Sequence, residues 1–410
     1  MLQLNPRTAS RMLNVARLAE RPQQADGDST TPLNVPVYEA ELWTSRQRQA
    51  NSIHEISYRA CFKPQLPAYF IERLTRDVEV VYDPFGGRGT TAVEAALHGR
   101  TVLTNDVNPL SAILIRPRLE LPSIGDIDAR LRSLRFAARP RSGIDLSMFF
   151  HPDTEYEILG LREHLYRRLH AGKEDAVDRW IRMVATNRLT GHSPGFFSVY
   201  TLPPNQAVMP EDQMRINARL KQEPEYRDIR ALILKKSMQL QGRLSAADRW
   251  RLRTAAETVR FLEGDAASTP AIADGSVHLT VTSPPFLDVV QYARDNWLRC
   301  WFNGLDADAI DVRITTSRTV KEWEMEMSLV FRELYRVTRS GGWVAFEVGE
   351  VRRGSVNLDE VVAPLGIAAG FDCTAILINA QSFTKTANIW GVRNNSLGTN
   401  SNRIVLFKKP

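Results

Sequence analysis

Cysteine is scarce in this sequence, with three in 410 residues, at Cys61, Cys300 and Cys373. They are far apart and odd in number, so neither a disulfide framework nor a zinc site is indicated. No apolar run approaches the ~20 residues that cross a bilayer. The opening stretch MLQLNPRTASRMLNVARLAE is amphipathic and arginine-bearing but lacks the apolar centre of a secretion signal. The expectation is a cytoplasmic protein with no membrane association and no metal site. Charge of one sign is also in short supply: 53 basic against 47 acidic residues leave a net +6, a lean toward a polyanionic partner that decides nothing alone. Internal repeats and low-complexity tracts are missing as well.

What is present is enough apolar sequence, 43% of the chain, to bury a full core. Residues 1–37 read as an N-terminal arm, a short helix followed by the linker RPQQADGDSTTP. From Pro64 the pattern is helix, then the β-branched strand VEVVYD, the glycine turn PFGGRGTT, the helix TTAVEAALHG and a second strand, TVLTND. That alternation opens a parallel α/β sheet. It breaks off over about 121–260, an arginine-rich, mostly helical stretch read as an inserted domain. Strand signals resume with SVHLTVTS, and 261–410 supplies a long helix, EWEMEMSLVFRELYRVT, and the strands WVAFEVG and SNRIVLFKK. The predicted fold is a Rossmann-like sheet with helices on both faces, with 38–120 as its first part.

The turn DPFGGRGTT, Asp83 to Thr91, sits between a strand and a helix, where glycines let backbone N–H groups approach a ligand closely. It lacks the lysine of a phosphate-binding P-loop and the spacing of a dinucleotide fingerprint. Asp106 ends the next strand, where a carboxylate can accept hydrogen bonds from ribose hydroxyls. Asp265, in FLEGDAAS, follows another apolar segment and is placed to reach an adenine amino group. An adenosine-bearing ligand fits these positions. Singly, each acid also reads as a turn or cap residue.

The last motif is TSPPF, Thr282 to Phe286, at the end of SVHLTVTS. Two consecutive prolines supply no backbone donor, so the chain must leave its strand stiff and extended. Together with DPFGGRGTT, FKPQL and the Gly-Asp of LEGDAAS, this motif resembles the amino-methylating DNA methyltransferases, which modify cytosine N4 or adenine N6 with S-adenosylmethionine. The resemblance covers roughly 50–115 and 260–410. It implies that Ser283, Pro284, Pro285 and Phe286 are catalytic. The Ser283 side chain and the Pro284 carbonyl would grip the target amine, and Phe286 would stack on the base. It further implies that Lys63, Pro64, Asp83, Pro84, Phe85, Gly86, Gly87, Gly89, Thr90, Asp106, Asp265 and Thr282 form the cofactor site.

No cysteine follows a proline, so the covalent route that carbon-5 methylation resembles has no nucleophile here. Serine at the first motif position resembles the cytosine-N4 enzymes, whereas Asp or Asn there resembles the adenine-N6 enzymes. The expected substrate is double-stranded DNA, with a restriction endonuclease as an expected companion. Adenine methylation, an RNA substrate and an inactive DNA-binding subunit stand as alternatives. The insertion is expected to recognise the target, and His192, Phe196, Phe197 and Tyr200 of GHSPGFFSVYTLPPNQ are its candidate DNA-contacting residues. The same aromatics also suit a local core.

Overall fold

The computed structural model describes residues 35–40, 50–58, 61–136, 142–202, 207–285, 292–314, 317, 319–351, 356–380 and 401–410. The expected N-terminal helix and Phe286 lie outside the described residues.

Ten strands are described: β1 (Val37–Ala40), β2 (Val80–Asp83), β3 (Thr101–Asn105), β4 (Arg260–Leu262), β5 (Val277–Thr282), β6 (Thr338–Val348), β7 (Glu350–Val351), β8 (Val356–Asn357), β9 (Asp372–Ala380) and β10 (Ser401–Lys408). Eight of them form one sheet in the order β1-β9-β10-β6-β5-β2-β3-β4, and β7 and β8 make a separate ribbon. All neighbours in the large sheet run parallel except β10, which is antiparallel to both β6 and β9. This mostly parallel sheet with helices on both faces is Rossmann-like.

Burial follows the two-residue period of a strand. On β10, Ile404 and Leu406 join one core and Val405 and Phe407 the other; on β2, Val81 and Tyr82 divide the same way. The helices Val320–Val337 and Leu358–Ala368 cover the second face. Helix Val320–Val337 begins with a capping box in which Thr319 and Glu322 satisfy each other's backbone donors, which fixes where its apolar stripe starts.

Among the described residues, seven helices lie between β3 and β4, from Leu110–Glu120 to Ala246–Thr258. Leu114, Ile127, Phe149, Trp180 and Ile233 from this stretch belong to the same cluster as Val81, Val93 and Leu279 of the sheet layer. Helices of the stretch expected to be an inserted domain, 121–260, share a core with one face of the sheet. Trp180, fully buried, donates its indole N–H to Ser237 Oγ at 2.9 Å, a buried polar group satisfied within that core.

The turn after β2 depends on glycine at one position above all. Gly89 has φ +77°, and a Cβ built there would lie 2.2 Å from Ile115 Cγ1. Gly89→Ala combines a left-handed backbone with a steric clash, so it is expected to destabilise the protein by about 2–5 kcal/mol. Urea denaturation followed by tryptophan fluorescence measures this, and a midpoint within error of wild type would contradict it.

Candidate active site

From β2 the chain proceeds outward to β3 and β4, then returns to β5 on the other side of β2. The reversal between β2 and β5 is the switch point where open α/β sheets bind ligands, beyond the carboxyl ends of their strands. A cleft of about 1140 Å³ opens there, partly to solvent, and both sequence motifs reach it. Pro84, Phe85 and Gly87 line it from the glycine turn, Ser283, Pro284 and Pro285 from the end of β5, and Asp106 and Asp265 from the ends of β3 and β4.

The turn is shaped by hydrogen bonds to acids. Gly87, at φ +49°, donates its N–H to Asp106 Oδ2 at 2.7 Å, and Asn108 N–H donates to Asp106 Oδ1 at 2.8 Å. Burial raises the Asp106 carboxyl to about 6, against the pull of those two amides. Asp265 is exposed at the cleft rim, and its Oδ1 accepts from Ala267 N–H at 2.8 Å.

Asp83 sits beneath the cleft, not in its lining. It is 1% exposed and does not line the cleft; its Oδ1 accepts from Thr282 Oγ1 at 2.6 Å and from Phe85 N–H at 3.1 Å. Burial lifts it to about 7. Thr282, fully buried, thus ties the end of β5 to the end of β2 beneath the cleft. Thr91, in the first turn of helix Thr90–Leu97, ties that helix to β5 by donating from Oγ1 to Val281 O at 3.0 Å. Gly86, Gly89 and Thr90 are likewise buried and absent from the cleft lining. A Cβ on Gly86 would meet Thr104 Oγ1 at 2.3 Å, and Thr90 Oγ1 accepts from Arg88 Nε at 3.2 Å.

Lys63 and Pro64 are absent from the cleft lining, and Pro64 is buried at the start of helix Gln65–Leu74. Tyr58 represents that segment in the cleft instead. Arg88 holds the segment down by donating to the carbonyls of Ile56 at 3.2 Å and Phe62 at 3.3 Å.

At the motif end, the Trp323 indole N–H donates to Pro285 O at 3.0 Å, and Trp323 is 2% exposed. With Met327 and Val330 it forms one stripe of helix Val320–Val337 along the cleft, at the i, i+4, i+7 spacing of an amphipathic helix. Sequence reading named the helix but not this use of its stripe. Glu347 on β6 was also missed: it is buried, lies one residue beyond the Thr282–Phe346 pair of β5 and β6, and accepts from Asn402 Nδ2 at 2.6 Å.

The proposed DNA-contacting group divides. His192 is exposed and Tyr200 half-buried, but Phe197 is fully buried and Phe196 is 7% exposed beneath the Arg188 guanidinium, 3.9 Å from its ring centre. Both phenylalanines are packing residues here, so they are not available as wedges into DNA.

Comparison with known proteins adds to this geometry. The profile of the family described as DNA methylase, N6_N4_Mtase, matches residues 12–137. The Type II methyltransferase M.MvaI of Kocuria varians is 27% identical over 128 residues, 30% of this chain and 25% of its own length. M.MjaII of Methanocaldococcus jannaschii is 31% identical over 75 residues, 18% of this chain and 14% of its own. The chain therefore matches a quarter or less of the length of these relatives.

Among solved structures, a DNA modification methylase of Thermus thermophilus, TTHA0409, solved with S-adenosyl-L-methionine, is 24% identical. That match covers 36% of this chain and 54% of that one at a TM-score of 0.22. A TehB-like SAM-dependent methyltransferase of Corynebacterium glutamicum is 8% identical, covering 84% and 87% at a TM-score of 0.31. The strand order, rather than these overlaps, defines the fold. The profile match and the two Type II relatives make part of this chain, which folds on a Rossmann-like sheet, similar to the amino-methylating DNA methylases.

Proposed function

We propose that this protein is a DNA methyltransferase that transfers a methyl group from S-adenosylmethionine to the N4 amine of a cytosine extruded from duplex DNA. The observation that carries this reading is the convergence of the Ser283-Pro284-Pro285 strand end and the Gly87 turn on one cleft. A methyl donor and an acceptor amine can meet only where both are held.

The cleft suits S-adenosylmethionine on its own residues. Asp106 offers a carboxylate to ribose hydroxyls, Asp265 offers one to an amino group, and Phe85, Ile314, Met327 and Val330 supply apolar walls for a purine ring. The cofactor brings an electrophilic sulfonium methyl. The chain's contribution is to bind, orient and exclude.

An exocyclic amine is a poor nucleophile because its lone pair is delocalised into the ring. Acceptors at its two hydrogens draw it toward a pyramidal, reactive geometry. In this reading Ser283 Oγ and Pro284 O are those acceptors. The two prolines stiffen the carbonyl's support, and Trp323 clamps the next carbonyl, that of Pro285, from the helix side. Phe286 is assigned the stacking role that offsets the few kcal/mol of extruding a base.

Ser283, in place of Asp or Asn, supports cytosine over adenine. Type II relatives support duplex DNA as substrate and a companion restriction endonuclease. The stretch 121–260, with exposed His192 and half-buried Tyr200, is assigned to target recognition.

Tritiated methyl transfer to DNA followed by nucleoside chromatography is expected to yield N4-methylcytosine; label solely in N6-methyladenine would overturn the base assignment. Ser283→Ala is expected to lower the single-turnover rate tenfold or more with cofactor affinity near normal, and a matching loss of cofactor binding would contradict its role.

Asp106 gives a pH test with a definite sign. Its carboxyl, raised to about 6, offers both oxygens as acceptors only when ionised, so cofactor affinity should be flat above pH 7 and weaken below about 6, by at most tenfold per unit. Calorimetry from pH 5 to 8 on wild type and Asp106→Asn measures it. The variant should bind weakly and lose the pH dependence, and identical profiles would remove Asp106 from the site.

A further inference from the structure

Three acids line the cleft, Asp106, Asp265 and Glu326, and among the described residues of the lining they are joined by one basic side chain, Arg313. Each acid has its own donor: Asp106 the Gly87 and Asn108 amides, Asp265 the Ala267 amide, and Glu326 the hydroxyl of buried Ser317 at 2.7 Å. Arg313 instead donates from Nη1 to Glu263 Oε1 at 2.9 Å, an acid outside the cleft lining. Both ends of this pair are anchored around Asp106. Glu263 follows β4, whose last carbonyl, Leu262 O, accepts the Asp106 N–H at 3.2 Å. Arg313 ends helix Ala307–Arg313, which is seated through Ile310 and Ile314 in a small core with Leu110 and Val107, just past Asp106. The pair thus joins the β4 end of the rim to that helix, at the end of the cleft where Asp106 and Asp265 stand.

Resting on the proposed seating of S-adenosylmethionine, we infer that Arg313 is a further cofactor-binding residue, presenting the flat face of its guanidinium to the purine, and that Glu263 is the residue that positions it. A guanidinium donates hydrogen bonds in its own plane, so a carboxylate at its edge leaves its faces open, and an electron-rich ring is drawn to such a face. Here the edge bond goes to an acid beyond the cleft while the side chain itself lines the wall, which leaves a face rather than the edge for a ligand. Val107 and Ile314 on the same wall are apolar, and low polarity strengthens the attraction. The sulfonium belongs at the other end, beside Ser283, so the Arg313 charge does not oppose it. The two side chains are 44% and 50% exposed, and a pair so exposed adds little to stability, so its use lies with the ligand rather than with the fold.

Calorimetry with S-adenosylmethionine and with S-adenosylhomocysteine tests this without DNA or turnover. Arg313→Gln should weaken both about tenfold, because the two share the purine. Were Arg313 felt through its charge at the sulfonium, the same substitution would tighten S-adenosylmethionine alone. Arg313→Lys, which keeps the charge but not the plane, should bind as weakly as Arg313→Gln. Glu263→Ala should weaken both ligands about threefold, and adding it to Arg313→Gln should cost nothing more, since Glu263 acts through Arg313. In methyl transfer to DNA, the half-saturating cofactor concentration of Arg313→Gln should rise in step with its dissociation constant, while the single-turnover rate at saturating cofactor stays within about twofold.

Unchanged or tighter cofactor binding by Arg313→Gln, full binding by Arg313→Lys, or a further loss when Glu263→Ala is added to Arg313→Gln would each overturn the inference. So would a loss of DNA affinity in Arg313→Gln with cofactor affinity kept, which would give Arg313 to a DNA phosphate. A wild type that binds neither ligand removes the seating of the cofactor, and the inference with it. A wild type that binds both but transfers no methyl group to DNA removes the methyltransferase reading and leaves this inference standing. Thermal melts of the ligand-free variants separate a folding defect from these outcomes; if Arg313→Gln does not fold, Arg313→Lys and Glu263→Ala carry the test.

Discussion

One buried hydrogen bond, from Thr282 Oγ1 to Asp83 Oδ1, joins the two halves of the site. It connects the last residue of β5 to the last residue of β2, and each of those residues directly precedes a functional turn. Asp83 also receives the Phe85 amide, so one carboxyl sets both where β5 ends and how the glycine turn begins. The two strands pair over only a short register, Val81 with Leu279 and Tyr82 with Thr280. The Thr282 side chain therefore does what backbone pairing does not, fixing the ends of the two strands relative to each other, and Thr91 ties the helix after the turn to β5. Any looseness there would separate the glycine-turn side of the cleft from its Ser283 side, and the proposed methyl transfer would tolerate little misplacement.

Three buried acids at and beneath the cleft are pushed toward the neutral form by the same cause. Asp83 and Glu347 are both raised to about 7 and Asp106 to about 6, each by loss of solvent first. Arg88, on the glycine turn itself, spends its guanidinium on the carbonyls of Ile56 and Phe62 and on Thr90. The basic group on the turn is thus directed away from the ligand side. What remains toward the cleft is acceptor-rich, a poor match for phosphates and a good one for a sulfonium, ribose hydroxyls and amines.

Much of this was legible in the sequence because the informative residues are local. VEVVYD, DPFGGRGTT, TVLTND and TSPPF each carry their own strand or turn chemistry, and the acids at strand ends come to one sheet edge whenever the sheet is parallel. The misreadings are non-local. Phe196 and Phe197 look like an exposed aromatic loop, but their burial depends on Arg188 and the surrounding helices. Lys63 precedes the turn in sequence, yet Tyr58 is the residue that the Arg88 anchors leave beside the cleft. Glu347 sits in WVAFEVG with the alternation of an ordinary strand, and only the pairing of β6 beside β5 reveals that it stands next to the motif strand. Spacing along a chain is silent about a strand partner that far away in sequence.

The helical stretch between β3 and β4 has a mechanical meaning that its sequence hides. Because Trp180, Ile233 and Phe149 pack in the same core as the sheet residues Val81 and Leu279, this stretch and the sheet form one packed layer. The segment 50–58 stitches them further. Ser57 and Asn187 exchange two hydrogen bonds of 2.8 Å, and Ser52 donates to Leu240 O at 2.9 Å. Arg299 then donates to Ser57 O at 3.1 Å from the helix that follows the Ser-Pro-Pro motif. Tyr58, at the end of this stitch, stands in the cleft. A surface that reads DNA on these helices would therefore be held at a fixed distance from Ser283, so that correct docking of the duplex and correct placement of the extruded base become the same geometric event.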